Sequence, residues 1–492
     1  MKIVFSIIVL MISSLGFTQI ISERSCPRLL MFNETEGETA ICHSFTVPET
    51  WSKPEGKTIE LATLTLKSTA ETPRADPIIF LQGGPGGAAL STIEFWQNLA
   101  WRESRDIILV DQRGTGYGKP NLKCPELFRN LDFKDATRDC RERLAEEGLN
   151  LDVFNSAENA RDINALIKTF GFDSVNLYGV SYGTRLALTM MRDVPEGIRT
   201  VVLDSTYPPQ AERLMEFGIN FERVLEHLFT SCSANEACKN GYPNLKDDFF
   251  RSLRWLERNP IVQPFTDLEL TDQEILSVLF QAMYDESVIP SLPYAFERLA
   301  ADDLDSFIVI AAGLATAEDL EAGTFNFLDV WRAIRDIFRF IFREVQSEGV
   351  YFSTECPEDV YFQNYRVVRN QTQSLPEPLE TLANDTALQM FTVCRAWQSQ
   401  RADRVESEPV TSDIPTLVLA GSFDPITPPS WGQRAAETLS NSYFFEFPNA
   451  AHGVFASGDC AVTMIEDFLD NPDQSPDATC MEDIEVEFYV PE

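Results

Sequence analysis

The sequence predicts an α/β fold, a mostly parallel sheet with helices on both faces that is interrupted by a large helical insertion. Three observations carry that reading. Short apolar runs alternate with amphipathic stretches through the N-terminal part of the chain. Near Ser205 the pattern becomes mostly helical and stays so to about residue 408. Sheet-like runs then return at Thr416–Ala420 and Ser442–Phe447. Strands joined through helices in this manner lie parallel, with the helices covering the sheet.

Taken along the chain, the first element is a leader. Lys2 is followed by no charged residue from Ile3 to Ser22, and Ile3–Leu15 is an apolar core of signal-peptide length. Ser14, Gly16 and Thr18 offer small residues for cleavage, so residues 1–22 are expected to be a signal peptide, with an uncleaved anchor as the alternative. No later segment has the run of uncharged apolar residues that a membrane span needs. Thr58–Leu66 alternates like a half-exposed strand, while Pro77–Leu81 and Asp106–Val110 are short apolar runs ending in turn residues, as buried strands are. Ser156–Phe170 has helical periodicity, with Ser156 as the expected N-cap and Gly171 just beyond its end. Ser174–Tyr178 and Val201–Asp204 read as strands on either side of a helix over Thr184–Arg192. The insertion is rich in aromatics such as Phe217, Phe280, Tyr284, Trp331 and Phe338, which are expected to be core. A last helix is expected around Val462–Leu469. These elements divide the chain into a sheet core over 23–205, a helical cap over 206–408 and a closing part of the core over 409–492.

Composition narrows the function. Among 492 residues, 76 Asp+Glu stand against 40 Lys+Arg, a net charge of −36. Such a chain repels phosphate backbones and anionic lipid, so no nucleic-acid partner is expected, nor a membrane one once the leader is removed. Ten cysteines, an even number, suit five disulfides in an oxidising compartment, and with the leader they predict a secreted or periplasmic protein. Pairing of sequence neighbours would close short loops, although spacing alone does not fix connectivity. No Cys/His cluster has metal-site spacing, and no metal or cofactor is expected.

The chemistry is concentrated in a few loops. Gly179-Val180-Ser181-Tyr182-Gly183 follows a strand and opens a helix, the setting in which small neighbours let a serine sit exposed on a strained turn. A serine hydroxyl needs a base, and the chain has only three histidines, His43, His227 and His452. His452 follows the last strand, whereas His227 lies in the helical block and His43 precedes the sheet. Asp424, after the Thr416–Ala420 strand in Gly-Ser-Phe-Asp-Pro-Ile-Thr-Pro, is preferred to Asp204 as the orienting carboxylate. The turn Gln82-Gly83-Gly84-Pro85-Gly86-Gly87 lets backbone N–H groups approach a substrate carbonyl; with no Gly-Lys-Ser/Thr behind it, it is not a phosphate loop. Gly114–Lys119 is read as a structural turn.

Together these segments resemble the α/β-hydrolase fold, in the branch of the proline iminopeptidases and tripeptidyl aminopeptidases. The matching residues are GGPGG at 83–87, DQRGTG at 111–116, GVSYGT at 179–184, GSFDPITP at 421–428 and AHG at 451–453. Cys356-Pro357-Glu358-Asp359 and Cys394-Arg395-Ala396-Trp397 are similar to the secreted tripeptidyl-aminopeptidase-like subgroup. One departure is Gln82, where many iminopeptidases have a histidine. The resemblance implies Ser181 as nucleophile, His452 as general base and acid, Asp424 as orienting carboxylate and the N–H groups of Gly84 and Tyr182 as the oxyanion hole. It further implies a serine exopeptidase acting on peptides with a free N-terminus, whose amine a cap carboxylate would bind. Glu358 and Asp359, with Glu355 adjacent, match the subgroup's acidic motif. The alternative is a carboxylesterase or lipase-like hydrolase of the same fold, with the same triad.

Overall fold

The computed structural model describes residues 20–27, 33–129, 132–262, 269–322 and 346–491. Most of the expected leader, together with Trp331 and Phe338, lies outside these residues. The centre is a nine-stranded sheet. Its strands are β1 (Ile20–Glu23), β2 (Ala40–Pro48), β3 (Thr58–Leu66), β4 (Ile78–Leu81), β5 (Ile107–Asp111), β6 (Val175–Val180), β7 (Ile198–Asp204), β8 (Thr416–Gly421) and β9 (Ser442–Phe447). In space they run β1-β2-β3-β5-β4-β6-β7-β8-β9. β1 to β3 are antiparallel and β3 joins β5 antiparallel; from β5 to β9 every pairing is parallel.

The reason lies in residue type. β4, β5, β6 and β8 are buried at every position and are dominated by Ile, Leu and Val, as strands covered on both faces must be. One face packs on α1 (Ile93–Gln97) and the helix Asp459–Asp470, the other on α3 (Ser156–Phe170), α4 (Tyr182–Asp193) and the helix Pro429–Ala436. α2 (Phe133–Glu146) lies outside this sandwich and packs on the cap helix Glu377–Trp397.

One local reading needs correction, the N-cap of α3, and two strands, β1 and β2, form where none was read from the sequence. The edge strand β1 begins at Ile20, inside the span expected as leader, and pairs Ile20 with Thr46. The cap of α3 is Asn155, whose Oδ1 accepts the Glu158 N–H at 2.9 Å; Ser156 is already helical and its polar groups are turned to a different partner. β2 is an element the residue pattern does not announce, since its burial alternation breaks at Ser44.

Between β7 and β8 the chain leaves the sheet and builds the cap, beginning with α5 (Arg213–Ala234). The cap has its own apolar core, in which Phe221, Leu228, Phe249, Leu279, Phe296 and Phe307 are buried. Five disulfides join sequence neighbours: Cys26–Cys42, Cys124–Cys140, Cys232–Cys238, Cys356–Cys394 and Cys460–Cys480. Among the described residues no helix is long and apolar enough to cross a membrane.

Candidate active site

Ser181 stands at the junction of β6 and α4 with φ 56° and ψ −127°, a backbone conformation that side chains avoid and that costs about 1–3 kcal/mol. The surroundings hold it there. Its N–H donates to the Asp204 carbonyl at 3.0 Å. The helix can pass so close to β4 only because residue 183 is glycine: a Cβ there would lie 1.8 Å from the Leu81 carbonyl oxygen. The glycine turn abuts the serine in the same way, since a Cβ on Gly83 would lie 2.8 Å from Ser181 Cβ. The Gly83 N–H is engaged by Gln82 Oε1 at 2.8 Å. The N–H of Tyr182 belongs to the first turn of α4, where the helix offers no partner. The Tyr182 side chain is directed elsewhere, its hydroxyl lying 2.9 Å from Ser156 Oγ.

His452 follows β9 and Asp424 follows β8, and the two meet. His452 Nδ1 lies 2.8 Å from Asp424 Oδ2, which fixes the tautomer with the proton on Nδ1 and leaves Nε2 as the free base. Asp424 is wholly buried and its charge is well supplied with donors. Oδ1 accepts the N–H groups of Ile426 and Thr427 at 2.9 and 2.8 Å, and Oδ2 also accepts the Thr427 hydroxyl at 2.6 Å. Burial alone would raise the Asp424 carboxyl, but His452 and these hydrogen bonds hold it below its ordinary value. Burial pushes His452 down, and the Asp424 carboxylate more than offsets this, leaving the imidazole above its usual range.

Asp204 does not share the His452 ring nitrogen. It accepts the Tyr178 hydroxyl at 2.6 Å and the N–H groups of Val454 and Phe455 at 2.7 and 3.0 Å, so it fastens the loop that carries His452. The cap contributes as well. Arg223 on α5 donates to the carbonyls of Ser422 and Asp424 at 2.7 and 2.6 Å, gripping the acid loop from above. Gln346 Nε2 donates to the Pro85 carbonyl at 2.6 Å, and the Ser347 N–H to the Gly86 carbonyl at 2.9 Å, so a second cap segment grips the glycine turn. His227 packs on Phe423, with ring centroids 4.5 Å apart. Thr427, Asp204 and Arg223 are the residues sequence reasoning undervalued or missed; only Thr427, three residues after the acid, has a local signal.

Ser181, Gly84 and His452 open into one cavity of about 860 Å³ beneath the cap. Of the three acidic residues expected near an amine, only Glu355 lines it. Its Oε2 accepts from Arg213 Nε at 3.0 Å and from the Tyr207 hydroxyl at 3.3 Å. Glu358 turns into the core instead. It accepts the Ser156 N–H and hydroxyl at 2.7 and 2.6 Å and lies 3.3 Å from Arg185 Nε. Asp359 accepts from Gln363 at 2.7 Å and lies 3.9 Å from Arg213 Nε. Burial, the largest effect at both, pushes Glu358 and Asp359 up to about 7 against the pull of the two guanidiniums. Glu355 therefore faces this cavity, while Glu358 and Asp359 lie at a separate, smaller one. Among the described residues the one grouping with metal-ligand spacing is Cys124, Glu126 and Cys140, and its sulfurs form a disulfide.

Residues 76–221 match the model of the alpha/beta hydrolase fold, and residues 379–480 match that of the TAP-like protein family. The chain therefore has the α/β-hydrolase fold and is an enzyme of that class. It is 23% identical over 432 residues to a tripeptidyl aminopeptidase of Streptomyces coelicolor, covering 79% of this chain and 72% of that one. It is 21% identical over 463 residues to the serine protease Hip1 of Mycobacterium tuberculosis, covering 86% and 83%. A proline iminopeptidase structure from Mycobacterium smegmatis aligns at 15% identity with a TM-score of 0.38, over 87% of this chain and 98% of that one. Within this class the relatives it resembles are peptidases, a tripeptidyl aminopeptidase and a serine protease.

Proposed function

We propose that the protein is an exported serine exopeptidase that releases residues from the free N-terminus of peptides. The observation that carries the exopeptidase reading is the buried Glu355 in the same cavity as Ser181 and His452. Among the described residues Glu355 is the one carboxylate that lines this cavity, and so the one group there that could hold a substrate ammonium. Five disulfides support an oxidising compartment, outside the cell or in the periplasm.

In the proposed mechanism His452 Nε2 takes the Ser181 proton as Oγ attacks the scissile carbonyl. The developing oxyanion is received by the N–H groups of Gly84 and Tyr182. His452 returns the proton to the departing amine, and water, activated by the same imidazole, hydrolyses the acyl-enzyme. Asp424 holds the ring and stabilises its positive charge.

The test is a panel of chromogenic substrates: aminoacyl, prolyl and tripeptidyl amides, each with free and acetylated amines, together with simple esters. Free-amine amides are expected to be cleaved at least about tenfold faster than their acetylated counterparts, the worth of one charge-assisted contact. Equal cleavage of both would overturn the exopeptidase reading, and turnover of esters alone would make the protein a carboxylesterase. Ser181→Ala should abolish turnover on every substrate, and residual full activity would overturn the mechanism.

A further inference from the structure

The wall of the cavity next to the His452 loop is aromatic. Phe80, Phe95, Trp96 and Phe455 line it. Phe455 meets Phe95 edge-on with centroids 4.4 Å apart and lies parallel to Trp96 at 6.2 Å, while Phe80 lies 4.4 Å from Trp96. Trp96 is 1% exposed and forms the floor, whereas Phe95 and Phe455 are only half-buried. The group is held rigidly. Phe455 stands three residues after His452 and its N–H is bound to Asp204 Oδ2 at 3.0 Å. Phe95 and Trp96 belong to α1, just beyond the glycine turn. The Glu355 end of the cavity is built from other elements: Tyr207 after β7, Arg213 on α5 and the helix Glu348–Glu358.

The direction of the reaction tells what this wall meets. The proton that leaves Ser181 Oγ is handed by His452 Nε2 to the departing nitrogen, so that nitrogen must lie on the His452 side of the serine. The residue bearing it then rests against the loop that carries His452, where Phe455 and its neighbours face the cavity. We infer that Phe95, Trp96 and Phe455 form the leaving-group subsite, which takes an aromatic or large aliphatic side chain on the residue after the cut bond. The inference rests on the peptidase reading and names the substrate class on the far side of the scissile bond.

The reverse of the first step tests it without knowledge of how many residues are released. An acyl-enzyme formed from a free-amine peptide amide is offered phenylalaninamide or glycinamide in competition with water. The amine nitrogen attacks the acyl carbonyl, its proton passes to His452 Nε2, and Ser181 Oγ departs with that proton. Phenylalaninamide is expected to capture the acyl group about tenfold or more better than glycinamide, the discrimination a hydrophobic pocket gives a large side chain. Phe95→Ala should bring the ratio close to one. Equal capture by wild-type enzyme overturns the subsite while leaving the peptidase reading intact, and an unchanged ratio in Phe95→Ala removes the assignment from these rings. No hydrolysis of any free-amine peptide amide overturns the reading and the subsite together. Should Phe95→Ala fail to fold, the wild-type ratio alone decides.

Discussion

The basicity of His452 is set by two opposing effects of its position. Burial favours the neutral ring, while the Asp424 carboxylate at 2.8 Å favours the charged one and prevails. The free base is the active form, so a raised pKa places the loss of kcat/KM on acidification above the ordinary histidine value of about 6.5. In Asp424→Asn the larger raising charge is gone and burial is opposed by the weaker pull of Asp204 alone, so the acid limb should move to lower pH while turnover falls about 10⁴-fold. A pH–rate profile with an unmoved limb would show that Asp424 does not govern this imidazole. Two neighbouring carboxylates of the cap, Glu355 and Glu358, separate just as sharply. Glu358→Ala leaves Arg185, 1% exposed, without its ionic partner, and should lower the unfolding free energy in urea by about 3–5 kcal/mol. Glu355→Gln, which keeps an acceptor for Arg213 and removes the charge, should raise KM for free-amine substrates about tenfold or more, with kcat little changed. The reverse pattern would return the amine contact to Glu358.

At the level of elements, two cap segments grip the loops that carry the reacting groups. Arg223 spans two carbonyls of the acid loop, and a lysine ammonium, a single point donor, cannot reproduce that fork. Arg223→Lys should therefore lower kcat about tenfold or more on small esters as well as on peptides, because a misplaced acid loop slows every substrate. A change confined to peptide KM would mean that the cap only binds. Gly183→Ala is the stricter case: a Cβ 1.8 Å from the Leu81 carbonyl cannot be accommodated without parting α4 from β4, and soluble folded protein should not be recovered. The elements were legible in the sequence wherever burial is uniform, as in β4, β5, β6 and β8, and wherever two periodicities alternate, as from α3 to β7. β2 was not, because Ser44 sits where its alternation breaks. Ser181, Asp424 and His452 were legible because each follows a strand within its own short motif. Arg223 and Asp204 act across 201 and 250 residues of chain on loops that no local pattern connects to them. Glu355 and Glu358 lie three apart on one helix, and what divides them is the position of Arg213 and Arg185 on other elements.

At the scale of the molecule, sheet and cap each have a core of their own, and the site lies where they meet. The cap side depends on a cross-link. Cys356 sits between Glu355 and Glu358, and its bond to Cys394 ties the helix Glu348–Glu358 to the helix Glu377–Trp397 across 38 residues. A loop of that length restricts the unfolded chain by about 2–4 kcal/mol. Removing the bond in Cys356→Ser/Cys394→Ser therefore frees the one helix whose register decides which carboxylate faces the cavity. The sheet, which holds Ser181, Asp424 and His452 on the ends of its strands and has the other disulfides intact, does not rely on this cross-link. In rising urea the variant should lose its preference for free over acetylated amines before it loses reaction of Ser181 with a fluorophosphonate, and both losses should coincide more closely in the wild type. Simultaneous loss in the variant would mean that cap and sheet unfold as one unit, with the cross-link stabilising the whole molecule and the cap no more than the rest.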